Sequence, residues 1–129
     1  DAGLIAASAA AQVDAADKIL DLGQAYWEGN LVLDVTALEV ATGDESYRIE
    51  WQLSPDATFG TAGNIRVATV IHLGDSSVTF SGADNSTGRY IQPVINEFGG
   101  TIYRYARLFT RIAGTIATGI NYSAFACSE

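Results

Sequence analysis

GTIYRYARLFTRI, residues Gly100–Ile112, holds three of the chain's six arginines, with Tyr103, Tyr105 and Phe109 on one strand parity and Ile102, Ala106, Leu108 and Ile112 on the other. A strand that is apolar on both faces expects cover on both. The stretch therefore reads as a central strand of a sandwich whose outer side meets something other than water. About a dozen residues at about 3.3 Å each would run roughly 40 Å, well beyond a usual strand. It must bend, protrude or serve two neighbours before Gly114 ends it.

Working outward, Gly99-Gly100 turns the chain into this stretch from Arg89–Asn96. There Pro93 cannot donate to a ladder and marks a sheet edge or a bulge. Thr115–Cys127 leaves the stretch as a last strand, with Ile116, Ile120 and Tyr122 on one parity. Upstream, Ser46–Ser54 alternates most cleanly: Tyr47, Ile49, Trp51 and Leu53 inward, Arg48, Glu50 and Gln52 outward. Pro55 breaks that strand, and Phe59 is placed to plug the sandwich end. Asn30–Val40 keeps Leu31, Leu33, Val35 and Ala37 on one face, then shifts parity to Leu38 and Val40, the mark of a bulge or a strand end. Short strands at Ile19–Leu22 and Val78–Ser81, and a longer one at Asn64–Leu73, complete the set; Gly82–Gly88 is a polar loop.

Strands separated by Gly, Pro, Asn and Asp turns, with no convincing helix, predict an all-β protein. The expectation is an eight-stranded antiparallel β-sandwich. Eight strands suit a jelly roll better than an immunoglobulin fold, which would also want a cysteine pair. One domain covers residues 17–129. Residues 1–16 form an irregular Ala-rich N-terminal arm, with seven alanines between Ala6 and Ala16 and little besides Leu4, Ile5 and Val13 to anchor it. A terminal arm is ordered only where it is tied down, so this one is either a free tail or a strap over a neighbouring subunit.

The chain is 48% apolar and only 17% charged, below the roughly 25% usual for a soluble domain. So little charge favours an oligomer or a permanently bound protein over a free monomer. A net charge of −8 argues against a nucleic-acid partner. The charge is uneven: eleven acids against Lys18 and Arg48 leave Asp1–Asn64 at −9, while four acids against five arginines leave Ile65–Glu129 at +1. The acidic half either faces a basic partner or is simply solvated. Cys127 stands alone, which excludes an intrachain disulfide and a cysteine metal site. No apolar run reaches the roughly 18 residues a membrane helix needs, so no membrane partner is expected.

Reactive chemistry finds little footing. His72, the one histidine, sits mid-strand between Ile71 and Leu73 and reads as a face residue; nucleophilic catalysis would need a Ser or Cys beside a base held by a third group. Asp14, Asp17 and Asp21, or Asp44 with Glu45, match no calcium-loop spacing and read as solvated charge. The glycine pairs fall between strands and never open a helix, so no phosphate loop is present. No catalytic residue, metal or cofactor is expected, and the chain reads as a non-enzyme. Tyr26, Trp27, Tyr90 and Trp51 could stack on sugars. Trp51 is more simply core, whereas Tyr26-Trp27 reads as an exposed interface anchor.

WQLSPDATF (51–59), RYIQPVINEFGGTIYRYARLFTRIAGT (89–115) and the closing INYSAFAC (120–127) together resemble the small capsid cement, or decoration, proteins of tailed bacteriophages. The likeness runs from about Leu20 to Cys127. Its most telling parts are Gln52-Leu53-Ser54 followed by Asp56-Ala57 and Phe59, and Tyr103–Leu108 ahead of a glycine turn. The resemblance implies jelly-roll subunits in homotrimers on the outside of the capsid, clamping neighbouring major capsid protein subunits. Location in the virion, after assembly in the host cytoplasm, would follow. On this reading Tyr103, Arg104, Tyr105, Arg107, Phe109 and Arg111 meet sister subunits, and Leu4, Ile5, Tyr26 and Trp27 meet the capsid. The alternative is a carbohydrate- or receptor-binding β-sandwich module of a virion.

Overall fold

The structure is a computed structural model and describes residues 7–10, 12–13, 16–40, 44–74 and 87–128. Leu4 and Ile5, the strand expected at Val78–Ser81 and most of the Gly82–Gly88 loop lie outside the described residues.

The described chain is almost entirely strand. Four two-residue segments, β1 (Ala9–Ala10), β2 (Gln12–Val13), β3 (Ala16–Asp17) and β4 (Leu20–Asp21), precede the long β5 (Glu28–Leu38), β6 (Ser46–Ser54) and β7 (Arg66–Gly74). Then come β8 (Gly88–Ile95), the small hairpin β9 (Glu97–Phe98) and β10 (Thr101–Ile102), and finally β11 (Tyr105–Ala113) and β12 (Ile120–Ser128). All pairings among the described residues are antiparallel. One sheet runs β12-β5-β8; the other runs β11-β6-β7, with β1 and β4 both on the free side of β11.

The two sheets share one core. Leu31, Leu33, Val35, Val94, Ile120 and Tyr122 from the first meet Tyr47, Ile49, Trp51, Leu53, Ile71, Leu73, Ala106 and Leu108 from the second. Each large apolar side chain so buried contributes about 1.5–3 kcal/mol. The alternation of β6 thus delivers its inward set as expected. The parity shift in β5 also has its cause: the β5–β12 register skips Thr36 between Val35 and Ala37, a bulge that lets Leu38 rejoin the core face. Pro93 lies on β8, the outermost strand of its sheet among the described residues, where its missing N–H costs no ladder bond.

Three expectations change. Gly100–Ile112 is not one strand: β10 ends at Ile102, and β11 begins at Tyr105. The break between them turns the chain out of the β9–β10 hairpin and onto β6. Second, residues 115–119 do not belong to the last strand. They wrap two carboxylates instead, with Thr115 N–H donating to Asp44 and the N–H groups of Ala117, Thr118 and Gly119 donating to Glu39 Oε1 at 2.6–2.9 Å. Gly114 starts this loop at φ +95°, and a methyl there would overlap the Asp44 carbonyl oxygen, so only glycine fits. Third, the arm is partly strand. Ala9 and Ala10 pair with Thr110 and Phe109, Ser8 Oγ accepts the Ile112 N–H at 2.9 Å, and Leu20–Asp21 continues along the same side of β11 toward its start. Arm and first strand together line the side of β11 that would otherwise be a bare edge.

Candidate functional site

The opening stretch ends up displaying two different surfaces. β11 puts Ala106, Leu108 and Thr110 inside, Thr110 bonding Tyr122 Oη at 2.7 Å. Tyr105, Arg107, Phe109 and Arg111 therefore project from the outer face, directly across from Ser54, Gln52, Glu50 and Arg48 of β6. The side chains interlock. Arg107 Nε donates to Gln52 Oε1 at 2.8 Å, Gln52 Nε2 to Glu50 Oε1 at 2.8 Å, and Arg111 Nε to Glu50 Oε2 at 2.9 Å; Arg48 Nη2 lies 3.7 Å from the same oxygen. The guanidiniums also cover rings. Arg107 sits 4.5 Å from the Phe59 centroid and 5.1 Å from that of Phe109, which Arg111 covers at 4.9 Å, a favourable cation–quadrupole arrangement.

This ladder corrects two expectations. Glu50 and Gln52 do point outward, but each is only 1% exposed, because alternation sets direction and not the height of the neighbours. Phe59 is buried, yet it lies against Arg107 on the outer face and is not part of the shared core. The positive φ of Phe59, 54°, curls the Pro55–Gly60 turn into that position. The ladder is also graded. Arg107 is half-buried, and burial lowers its pKa while the nearby Asp17 raises it. Arg111 and Arg48 leave 51% and 47% of their side chains in solvent.

Arg104 belongs to neither the ladder nor the core. It forms a two-pronged pair with Asp21 at 2.9 Å on each prong and lies 5.3 Å from the Tyr105 ring. The Arg104 hydrogen bond holds the Asp21 carboxyl down at about 2, and the N–H groups of Gly119 and Thr118 lower Glu39 likewise. A carboxylate depressed in the folded state stabilises it above the unfolded pKa and loses that contribution as pH falls through the folded one. Thermal stability should therefore hold down to about pH 4 and fall between about 3.8 and about 2. Asp21→Asn should blunt the fall and lower stability at pH 7 by the same amount, a small one because the pair is exposed. A melting temperature that stays flat from about pH 4 to about pH 2 would contradict this.

The second surface is the tip at the other end of β11. Asn96, fully buried, organises it. Its Oδ1 accepts the Trp27 N–H at 2.8 Å, and its Nδ2 donates to the Ala25 and Tyr103 carbonyls at 3.0 Å each. Backbone bonds Asn96 N–H to Trp27 O and Tyr103 N–H to Asn96 O, at 3.2 and 2.7 Å, finish the knot. It clamps the 23–27 loop and the β10–β11 break to the β9–β10 hairpin. Trp27 turns inward and stacks on Trp51 with centroids 6.1 Å apart, so the expected exposed pair is exposed only at Tyr26. Tyr103 likewise packs on the core. What remains outside is Tyr26 at 52%, Phe98 at 42% and Ile102 at 44% exposure, beside Glu28 and Glu97. Tyr26 Oη bonds Glu28, and its pKa is raised by burial, then by the charge and hydrogen bond of Glu28 and the charge of Glu97.

A third feature lies on the outer face of the other sheet. Phe125, Val32 and Ile91 are cross-strand neighbours there, and the two flanking residues are among the exposed apolar ones. They lie on three strands far apart in sequence and come together only through strand pairing. Between β7 and β8 a cleft of about 190 Å³ is lined by His72, Tyr90, Gln92 and their neighbours. His72 Nε2 lies 3.2 Å from Ser46 Oγ, and Cys127 is exposed with Sγ 3.7 Å from the Asn30 carbonyl. Among the described residues no three His, Cys, Asp or Glu side chains gather as a metal site, and no helix is long and apolar enough to cross a membrane.

The fold defines an all-β protein whose two larger antiparallel sheets enclose one core. No protein family, curated protein or solved structure matches the chain.

Proposed function

We propose that this is a non-enzymatic capsid cement protein: a homotrimer of jelly-roll-type sandwiches that binds the outside of a phage head and bridges its major capsid protein subunits. The finer, eight-stranded reading counts the six long strands, the Leu20–Asp21 edge and Val78–Ser81. The observation that carries the proposal is the outer ladder. A lone sandwich needs only solvated side chains there, yet arginines, phenylalanines and a buried glutamate are fixed against one another. Pre-ordered arginine and aromatic groups are what strong interfaces use. A structural clamp needs such faces and no reactive group. Several modest contacts held on one trimer multiply by avidity, which also fits the low charge of the chain.

On this reading the ladder and Tyr105 face sister subunits, and Tyr26 with the Leu4–Ile5 segment faces the shell. Purified protein should sediment at three times the 13.6 kDa chain mass at micromolar concentration; a monomer at that concentration would overturn the trimer. Tyr26→Ala combined with removal of residues 1–6 should lower occupancy on empty heads, and unchanged occupancy would remove those residues from the capsid contact.

A further inference from the structure

A closed trimer cannot be built from self-matching two-fold contacts alone; each copy must offer two different surfaces, one fitting the other on the next copy. The exposed end of the ladder and the tip form such a pair. Arg48 and Arg111, half in solvent, share one buried carboxylate beside the Phe109 ring, an excess of one positive charge in a chain of net −8. The tip offers the complement: Glu28, exposed at the start of β5, and Glu97, the cross-strand partner of exposed Ile102. Arg111 lies six residues along β11 from Tyr105, roughly 20 Å at strand rise, and the tip lies beyond Tyr105. One chain therefore cannot lay its own tip on its own ladder end.

We propose that the acidic, apolar tip of one copy docks on the Arg48–Arg111 end of the ladder of the next, head to tail, and that this contact closes the ring. It rests on the trimer proposed above and names its two halves. Carboxylates from the tip meet the exposed guanidiniums, and Ile102, on the same side of the hairpin as Glu97, packs beside Phe109. Because the steering charges sit at the rim, the contact is salt-sensitive.

Sedimentation velocity on the full chain tests this without any capsid. Glu28→Lys with Glu97→Lys should weaken association about tenfold or more, and so should Arg48→Glu. A chain carrying all three reversals, Glu28→Lys, Glu97→Lys and Arg48→Glu, should associate again, because every junction of the ring then pairs opposite charges. Raising salt from about 50 mM to about 500 mM should dissociate the unaltered protein. If Arg48→Glu fails to fold by circular dichroism, the tip variant and the salt series still decide. A trimer untouched by the tip variant overturns this contact while leaving the trimer standing, whereas a monomeric unaltered protein at low salt overturns both.

Discussion

Replacing Asn96 with alanine is expected to lower stability by about 3 kcal/mol, as the sum of three smaller losses. The amide makes three hydrogen bonds from a fully buried position: one accepted from Trp27 N–H and two donated to the Ala25 and Tyr103 carbonyls. Truncation leaves those backbone groups without their partner, at about 1–3 kcal/mol for each that stays dry, and water entering the gap trims the total. Asn96→Asp should cost nearly as much, since a carboxylate keeps the acceptor but offers the two carbonyls no donor. Urea unfolding measures the loss; a cost below about 1 kcal/mol for Asn96→Ala would mean the tip is not held by this knot. The same variant should loosen the proposed trimer, because it frees the strand start and hairpin that present Glu28, Glu97 and Ile102.

Trp51→Ala should cost more, about 4 kcal/mol. The ring is 1% exposed, its Nε1–H donates to the Ile95 carbonyl at 2.9 Å, and one face carries Trp27. Deletion removes the transfer energy of the largest core side chain, opens a cavity and orphans a carbonyl. Trp51→Phe should fall near half of that, keeping most of the volume and losing the donor. Trp27→Ala should cost less than Trp51→Ala, because Trp27 is only half-buried. The reverse order in urea midpoints, at unchanged slope, would contradict the assignment of Trp51 to the core and Trp27 to its cover.

Much of the fold was legible where one side of a strand is buried and the other is not. Tyr47, Ile49, Trp51 and Leu53 alternate because they must, and the parity slip after Ala37 announced the bulge at Thr36. Gly100–Ile112 was too long for one strand, and its excess length became the β10–β11 break. Less legible were features set by partners distant in sequence. Thr115–Gly119 carries strand-like residues, but Asp44 and Glu39, more than seventy residues earlier, gather its N–H groups into a loop. The candidate site divides in the same way. Arginine–aromatic spacing on β11 pointed to the ladder, but Glu50, Gln52 and Phe59 joined it only through strand pairing and a turn. Tyr26 and Trp27 are adjacent in sequence, and it is Asn96, sixty-nine residues beyond Trp27, that helps separate an outward ring from an inward one.

The central claim is that this chain clamps a capsid from outside as a trimer. Cryo-microscopy of phage heads incubated with excess purified protein tests it most directly. The account predicts three-fold density at the junctions between capsid protein subunits, with the β9–β10 tip of each copy against the β6–β11 face of the next. Heads left bare at saturating protein, or density made of single isolated copies, would contradict it.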